Sequence, residues 1–425
     1  MGGTSKEGLK RLRLTGLWGH ADFVRLWTGQ TISLVGSQVT FLALPLTAAL
    51  TLRATPAQMG LLTAIGSLPS LVLGLPAGAW VDRHRRRPLL IAADLGRGLL
   101  LMAIPIAALL HALRIEHLYV IELLMGVLNL LFGVACCSFL PTLVGREQLV
   151  EGNSKLEVSR SVAEIAGPGL AGGLVQWVTA PIAVDALSFL VSALFLGLIR
   201  APEPEPAPAG ERPRFLAEIG EGLGLVWGDR VLRAIAGCAG MVSLFNGALE
   251  AIYILYLTRE LGMGAAMLGL SFAFGSVGFL AGALILGRVS HHFGLGPGIV
   301  GGLLLAGASD LLVPLLGRSV PLGVLFGLRV VAQFLFGLGL VIFNTGQVSL
   351  RQGVTPDRLQ GRMNATLGFI GGAVVPLGGF LGGVLGGVLG LRATLVLAAL
   401  GEMLSISWLL LSPIRTMRAL PVLAE

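Results

Sequence analysis

Seven acidic residues, Asp94, Glu122, Glu164, Asp185, Glu250, Asp310 and Glu402, fall within stretches of sequence that are otherwise almost wholly apolar. A carboxyl group in such surroundings can take up and release a proton as its access to water changes, and holding a charge there is costly enough to make each one a functional candidate. They are not equivalent. Asp94 and Arg97 stand three apart, on one face of a helix, and can pair with each other. Glu164 and Asp185 lie near the ends of their runs or on supporting ones, where a hydrogen-bonded structural role fits.

Other chemistries find no residues. The lysines are followed by Glu7, Arg11 and Leu156, so no phosphate-loop lysine precedes Ser or Thr. Two GxGxxG matches, at Gly167/Gly169/Gly172 and Gly296/Gly298/Gly301, follow no strand and arise in a chain with 62 glycines, so they read as packing features. The six histidines form no HExxH, and Cys136, Cys137 and Cys238 sit in apolar runs without metal or redox spacing. No enzyme, cofactor or metal site is expected.

The apolar runs position these carboxyls. At 54% hydrophobic and 12% charged residues, with a mean hydropathy of +0.84, the chain is far from a soluble domain, which carries about 25% charge. It reads as an all-α integral membrane protein. A span takes about 20 apolar residues, and twelve candidates lie at roughly 23–49, 57–80, 89–111, 118–141, 158–178, 181–199, 232–256, 265–288, 297–317, 321–347, 364–388 and 392–412. Lys6, Lys10, Arg11 and Arg13 precede the first without a short apolar core and cleavage site, so that span is expected to be retained.

The net charge of +7 is informative through its placement. Of 30 Lys and Arg, five (Arg53, Arg114, Arg259, Arg318 and Arg392) fall after odd-numbered spans, Arg97 and Arg329 lie deep inside spans, and the remaining 23 belong to the termini, the loops after even-numbered spans and the span ends that adjoin them. Both termini and the central loop are therefore expected in the cytoplasm, and no nucleic-acid partner is implied.

Residues 201–213, APEPEPAPAGERP, should be extended and solvated, and Phe215 to Trp227 should lie on the membrane surface. They divide a first six-helix bundle at 1–200 from a second at 231–425, with a cytoplasmic linker and surface helix at 201–230. At an offset of about 209, Arg25 falls on Arg233, Gly29 on Gly237 and Gly78 on Gly287, while Asn153 matches Asn364 and Pro168 matches Pro376. Six spans per half is an even number, so the halves are parallel repeats about an axis along the membrane normal, with a cavity between them.

The second loop carries the strongest motif, GLPAGAWVDRHRRRP from Gly74. Gly78 and Asp82 are one helical turn apart on one face. A small residue there permits close helix approach, Asp82 can accept hydrogen bonds from a helix terminus or an arginine, and the arginines can meet carboxylates or anionic lipid. Such a loop can latch one conformation. Gly78, Asp82, Arg83, Arg86 and Arg87 at this spacing resemble the signature loop of the major facilitator superfamily, with Arg85 where many members carry glycine. FVRLWTGQTISLVGSQVTFLALPL from Phe23, Asp94-Leu-Gly-Arg97, LPTLVGREQLVEGN from Leu140 and Asp185-Ala-Leu-Ser-Phe189 resemble its drug and siderophore exporters, of the macrolide-efflux and enterobactin-exporter kind. The second-half counterpart of Asp82 is His291, so that loop is degenerate.

The resemblance implies twelve helices in two pseudo-symmetric six-helix halves, a gate formed by the signature residues with Asp94 and Arg97, and a cavity lined by spans 1, 4, 7 and 10. Glu122 on span 4 and Glu250 on span 7 then become the proton-coupling candidates. Glu250 comes first, because Asn246 lies one turn before it and Tyr253 close to one turn after; a salt bridge from either carboxylate to Arg329 is the competing reading. Gly167, Pro168 and Gly172 lie close to the GPxxGG signature associated with exporters, where proline bends the helix and small residues permit tight contact. On the four cavity spans, Gln38, Asn129, Asn246 and Gln333 are candidate substrate-facing amides, and Phe41, Phe132, Phe245, Phe334 and Phe343 a candidate apolar wall.

The expected function is secondary active efflux of amphipathic small molecules by proton antiport and alternating access. The expected partners are the substrate, protons and the lipid bilayer; the setting is the plasma (inner) membrane, and the resemblance implies a working monomer. A lipid or lysolipid translocator of the same fold is the alternative, followed by a non-transporting membrane sensor. If Asp82 latches the loop, Asp82→Asn should lower turnover more than substrate affinity; equal turnover in purified mutant and wild type would remove this role.

Overall fold

A computed structural model describes residues 16–81, 83–174, 179–203, 215–315, 320–356 and 359–418. Among them the regular structure is helical: α1 (Ala21–Leu46), α2 (Pro56–Val81), α3 (Arg86–Leu109), α4 (Ile115–Val144), α5 (Leu149–Leu174), α6 (Ala180–Gly197), α7 (Phe215–Gly228), α8 (Arg230–Leu255), α9 (Ala265–Phe293), α10 (Leu295–Leu315), α11 (Leu322–Val354), α12 (Gln360–Val388), α13 (Leu391–Leu404) and α14 (Ile406–Leu410).

Eleven segments among the described residues are long and apolar enough to cross a membrane, α13 and α14 counting together as Leu391–Leu410. The twelfth expected span, α5, is a helix of 26 residues, but Glu151, Lys155, Glu157, Arg160 and Glu164 make its first part polar. The short α7 rests on α12, where Gly222 leaves room for the Thr366 hydroxyl and Glu221 pairs with Arg362.

The repeat is written in the backbone. Residues Thr47–Thr51 continue α1 as a wider π-helical turn, and Tyr256–Glu260 do the same for α8. Arg53 at φ 51° and Gly262 at φ 67° then reverse the chain, and the Ala54 and Met263 amides donate back to Ala48 and Leu257, each at 2.9 Å. All these pairs stand at the one offset already visible in the sequence. Glycine takes a left-handed turn without a side-chain penalty, whereas Arg53 holds it at a cost of roughly 1–2 kcal/mol. Gly29 of α1 likewise lies under Ser192 and Phe195 of α6, and Gly237 of α8 under Trp408 of α14.

The buried core has a shape with functional meaning. One cluster joins both halves, running from Val39, Leu46, Met59 and Ile121 to Ile252, Leu255, Leu268 and Leu395 at the end that bears the loops after odd-numbered spans. At the opposite end it is replaced by two separate clusters. Leu17, Phe23, Leu90, Phe139 and Leu196 belong only to the first half, and Val226, Ile235, Leu303, Leu350 and Leu409 only to the second. The halves meet at one end and part at the arginine-rich other.

Helices α2 and α12 trace this divergence. At the joined end a Cβ on Gly60 would run into the backbone of Gly379 and Gly383, and one on Gly383 into the Pro56 carbonyl. Without side chains there, the helices pack backbone to backbone. Further along, a Cβ on Gly74 or Gly78 of α2, or on Gly361, Gly368 or Gly372 of α12, would meet nothing within 4 Å. The close approach expected at Gly78 is thus not made in this conformation, because the two helices have already separated.

Candidate functional site

A cavity of about 270 Å³ lies where the halves converge, between α1, α2 and α4, with one residue each from α3, α6 and α8. Its polar lining includes Thr40, Thr63, Glu122, Asn129, Asp185 and Glu250. Each wall is one helical face: Ser37, Thr40, Phe41 and Leu44 on α1, Met59, Leu62, Thr63 and Gly66 on α2, and Glu122, Met125 and Asn129 on α4. Small residues set the geometry. A Cβ on Gly66 would lie 2.8 Å from a Glu122 carboxylate oxygen, and one on Gly126 would strike the Gly66 carbonyl, so glycines let α2 and α4 close around Glu122. Glu250 reaches the same space from α8, where Gly247 lies against the α12 backbone at Val375.

Glu122 and Glu250 therefore share one cavity across the boundary between the halves. No lysine or arginine lines the cavity among the described residues, and Leu62, Leu101 and Met125 supply apolar surface beside the two carboxylates. Such a space favours a group that is positively charged at one end and apolar at the other, and it also favours protons.

Behind the cavity, Asp94 and Arg97 form a buried ion pair on α3. Arg97 donates to the Asn129 side-chain oxygen at 3.0 Å and is flanked by the rings of Phe132 and Phe189, at 4.1 and 4.3 Å. Flat aromatic faces suit a desolvated guanidinium. The pair thus ties α3 to α4 and α6 and holds Asn129 at the cavity edge. Asp185 accepts a hydrogen bond from the Ser188 hydroxyl at 3.0 Å. Asp94→Ala is expected to cost about 3–5 kcal/mol, because it leaves Arg97 buried without its counter-charge. The thermal midpoint in detergent should fall accordingly and recover in Asp94→Asn/Arg97→Gln; an unchanged midpoint would mean that the pair does not hold these helices.

Of the candidate cavity residues, Phe41 and Asn129 line this space, and Phe132 stands one step behind through Arg97. Gln38 instead packs on Gly167 of α5, whose backbone continues through Pro168 and Gly172. Phe245 rests on Gly401, and Asn246 is exposed on α8 outside the lining. Gln333 accepts a hydrogen bond from Arg329 and packs on Gly275; Phe334 meets Gly278 through its backbone; Phe343 is buried in the second-half core.

Arg329 does not reach the two glutamates. Its guanidinium lies 5.0 Å from the Tyr253 ring and 5.3 Å from that of Phe272, and its electrostatic partner is Asp310. Among the described residues no ion pair joins it to Glu122 or Glu250. Thr40 and Thr63 are not among the sequence candidates, and Asp185 is assigned a structural role there; a second hydroxyl one turn away, Ser37 beside Thr40 and Ser67 beside Thr63, is the available signal.

In the signature loop, Asp82 lies outside the described residues, and Arg83 is exposed. The Arg86 and Arg87 amides donate to the Glu203 carboxylate, and the Arg87 guanidinium donates to the Leu196 and Gly197 carbonyls at 3.1 and 2.6 Å. A cation is well placed on the last carbonyls of α6. At the matching positions of the second half, the Leu295 and Gly296 amides donate to the carbonyls of Arg418 and Met417, at 3.3 and 2.9 Å.

Residues 26–253 and 235–422 match the family described as Major Facilitator Superfamily. The chain is 28% identical to the multidrug efflux pump Tap of Mycolicibacterium fortuitum over 361 residues, covering 80% of this chain and 83% of the relative. It is 26% identical to the enterobactin exporter EntS of Salmonella typhi over 360 residues, 83% of each. A crystal structure of a bacterial homologue of the iron transporter ferroportin, in an inward-facing state, superposes with a TM-score of 0.71 at 17% identity over 92% of this chain and 98% of that one.

Proposed function

Because the chain belongs to the major facilitator superfamily, we propose that it works as a proton-driven exporter of amphipathic, preferentially cationic small molecules by alternating access. The observation that carries this reading is the pair Glu122 and Glu250, contributed by opposite halves to one cavity at the joined end of a bundle that is open at the other. The transport fold and the exporter relatives give the class; the cavity supplies the preference for a cation with an apolar body.

Substrate enters where α2 and α12 diverge, on the cytoplasmic side if the arginine-rich loops face inward. Its apolar part rests on Leu62, Leu101 and Met125 and its charge on the two carboxylates. Residues 1–200 and 231–425 then rock about the cavity with 201–230 as the linker, closing the cytoplasmic side and opening the other. Asp82, with Arg83, Arg86 and Arg87, latches the closed cytoplasmic side. Protonation of a glutamate from outside displaces the cation and favours return.

Efflux of a fluorescent cationic dye and of a macrolide from vesicles, with and without an imposed pH gradient, tests the proposal. Export that follows the gradient is the expected result. Export indifferent to the gradient would remove proton exchange, and movement of labelled lipid with neither drug carried would turn the reading to lipid translocation.

A further inference from the structure

A second cavity, of about 960 Å³, opens at the arginine-rich end of the second half, between the start of α8 and α14 with the residues that follow it. Arg230, Arg233 and Arg415 line it together with Trp408, Leu411 and Ser412, and no carboxylate does so among the described residues. The nearest acid in sequence, Asp229, is engaged as the N-cap of α8, accepting from the Val231 and Leu232 amides at 2.8 and 2.9 Å. The Arg233 guanidinium is steadied by a hydrogen bond to the Trp227 carbonyl at 3.0 Å.

The repeat shows that this charge is a departure. Asp22 and Arg25 begin α1 where Arg230 and Arg233 begin α8. In the first half the two form an ion pair at 2.5 Å, and Asp22 also accepts the Arg200 amide at 3.2 Å. The second half has an arginine in place of the aspartate. What is a neutralised helix start in one half is three arginines around an open space in the other.

The rim is apolar. Leu411 is 88% exposed and Leu410 44%, and the Trp408 ring, seated on Gly237, is 43% exposed. Tryptophan at the end of a span belongs to the headgroup layer, and a basic pocket beside it with apolar surface above is suited to a lipid phosphate with its acyl chains. We propose that this cavity binds the phosphate of an anionic phospholipid of the leaflet it faces, the guanidiniums holding the headgroup and Leu410, Leu411 and Trp408 the start of the chains. A free phosphate would use the arginines and leave the rim without a purpose.

The full chain purified in detergent tests this by native mass spectrometry and by thermal shift with cardiolipin, phosphatidylethanolamine or inorganic phosphate added. Cardiolipin should bind and raise the melting temperature, and phosphatidylethanolamine should do so much less. At roughly 1 kcal/mol for each arginine near a lipid phosphate, Arg230→Gln/Arg233→Gln/Arg415→Gln should bind cardiolipin about a hundredfold more weakly. Arg25→Gln, at the matching first-half position, should bind it as the wild type does. The three arginines are exposed, so the lipid-free melting temperature should stay near that of the wild type and show that the variant is folded. Equal cardiolipin binding by the triple variant, or equal binding of phosphatidylethanolamine by the wild type, would overturn the proposal. Inorganic phosphate reproducing the full shift at the same concentrations would assign the site to a free anion and overturn it as well.

Discussion

Replacing Glu250 by glutamine is expected to lower gradient-driven efflux by about a hundredfold, which corresponds to about 2.7 kcal/mol in the coupled step. The amide keeps the volume and hydrogen-bonding reach of the side chain but can neither hold a negative charge nor exchange a proton. Among the described residues Glu250 is the one from the second half in the cavity lining, and it shares that lining with Glu122 across the boundary that parts if the halves rock as proposed. Under the proposed rocking its environment changes between the two states, which is what a coupling site requires. The informative comparison is between net efflux under a pH gradient and exchange of labelled for unlabelled substrate at equal pH. Exchange needs rocking with substrate bound but no net proton movement, so it should persist in Glu250→Gln while net efflux is lost. Loss of both would mean that the substrate's charge rests on Glu250 alone instead of being shared with Glu122. Persistence of both would move the proton to Glu122, for which Glu122→Gln is the matching variant.

Much of this arrangement is legible in the sequence. The apolar runs mark the helices, and the offset of about 209, read from pairs such as Gly29 and Gly237, holds as well for the turns at Arg53 and Gly262, which the sequence does not single out. Facing was harder to read. A span is apolar all round, so periodicity does not say which side looks inward. Gln38 and Gln333 sit at comparable depths in their helices, yet one packs on Gly167 and the other bonds Arg329, because the neighbouring helix leaves a gap there. Glu122 and Glu250 could be singled out because carboxylates in spans are few. The end at which the bundle opens was not legible at all. It depends on one run of glycines, Gly60 with Gly379 and Gly383, that touches, while another, Gly74 and Gly78 with Gly361, Gly368 and Gly372, does not.

That asymmetry supports the second large effect. A disulfide between Pro56→Cys and Gly386→Cys, in a chain whose Cys136, Cys137 and Cys238 are replaced by alanine, is expected to stop transport when oxidised and restore it on reduction. The Pro56 Cβ lies 3.2 Å from where a Cβ on Gly386 would stand, and disulfides take Cβ separations of about 3.5–4.5 Å, a small adjustment away. Pro56 opens α2 and Gly386 lies in the last part of α12, so the bond would cross between halves at the joined end. Rocking about the cavity requires that contact to part, and a covalent bond fixes it. Substrate should still bind from the open side with affinity close to that of the reduced protein, while turnover falls by about tenfold or more, over 1.4 kcal/mol in rate terms. Full turnover in completely oxidised protein would mean that the contact between α2 and α12 stays closed through the cycle, and the motion would have to lie within a half instead of between the halves.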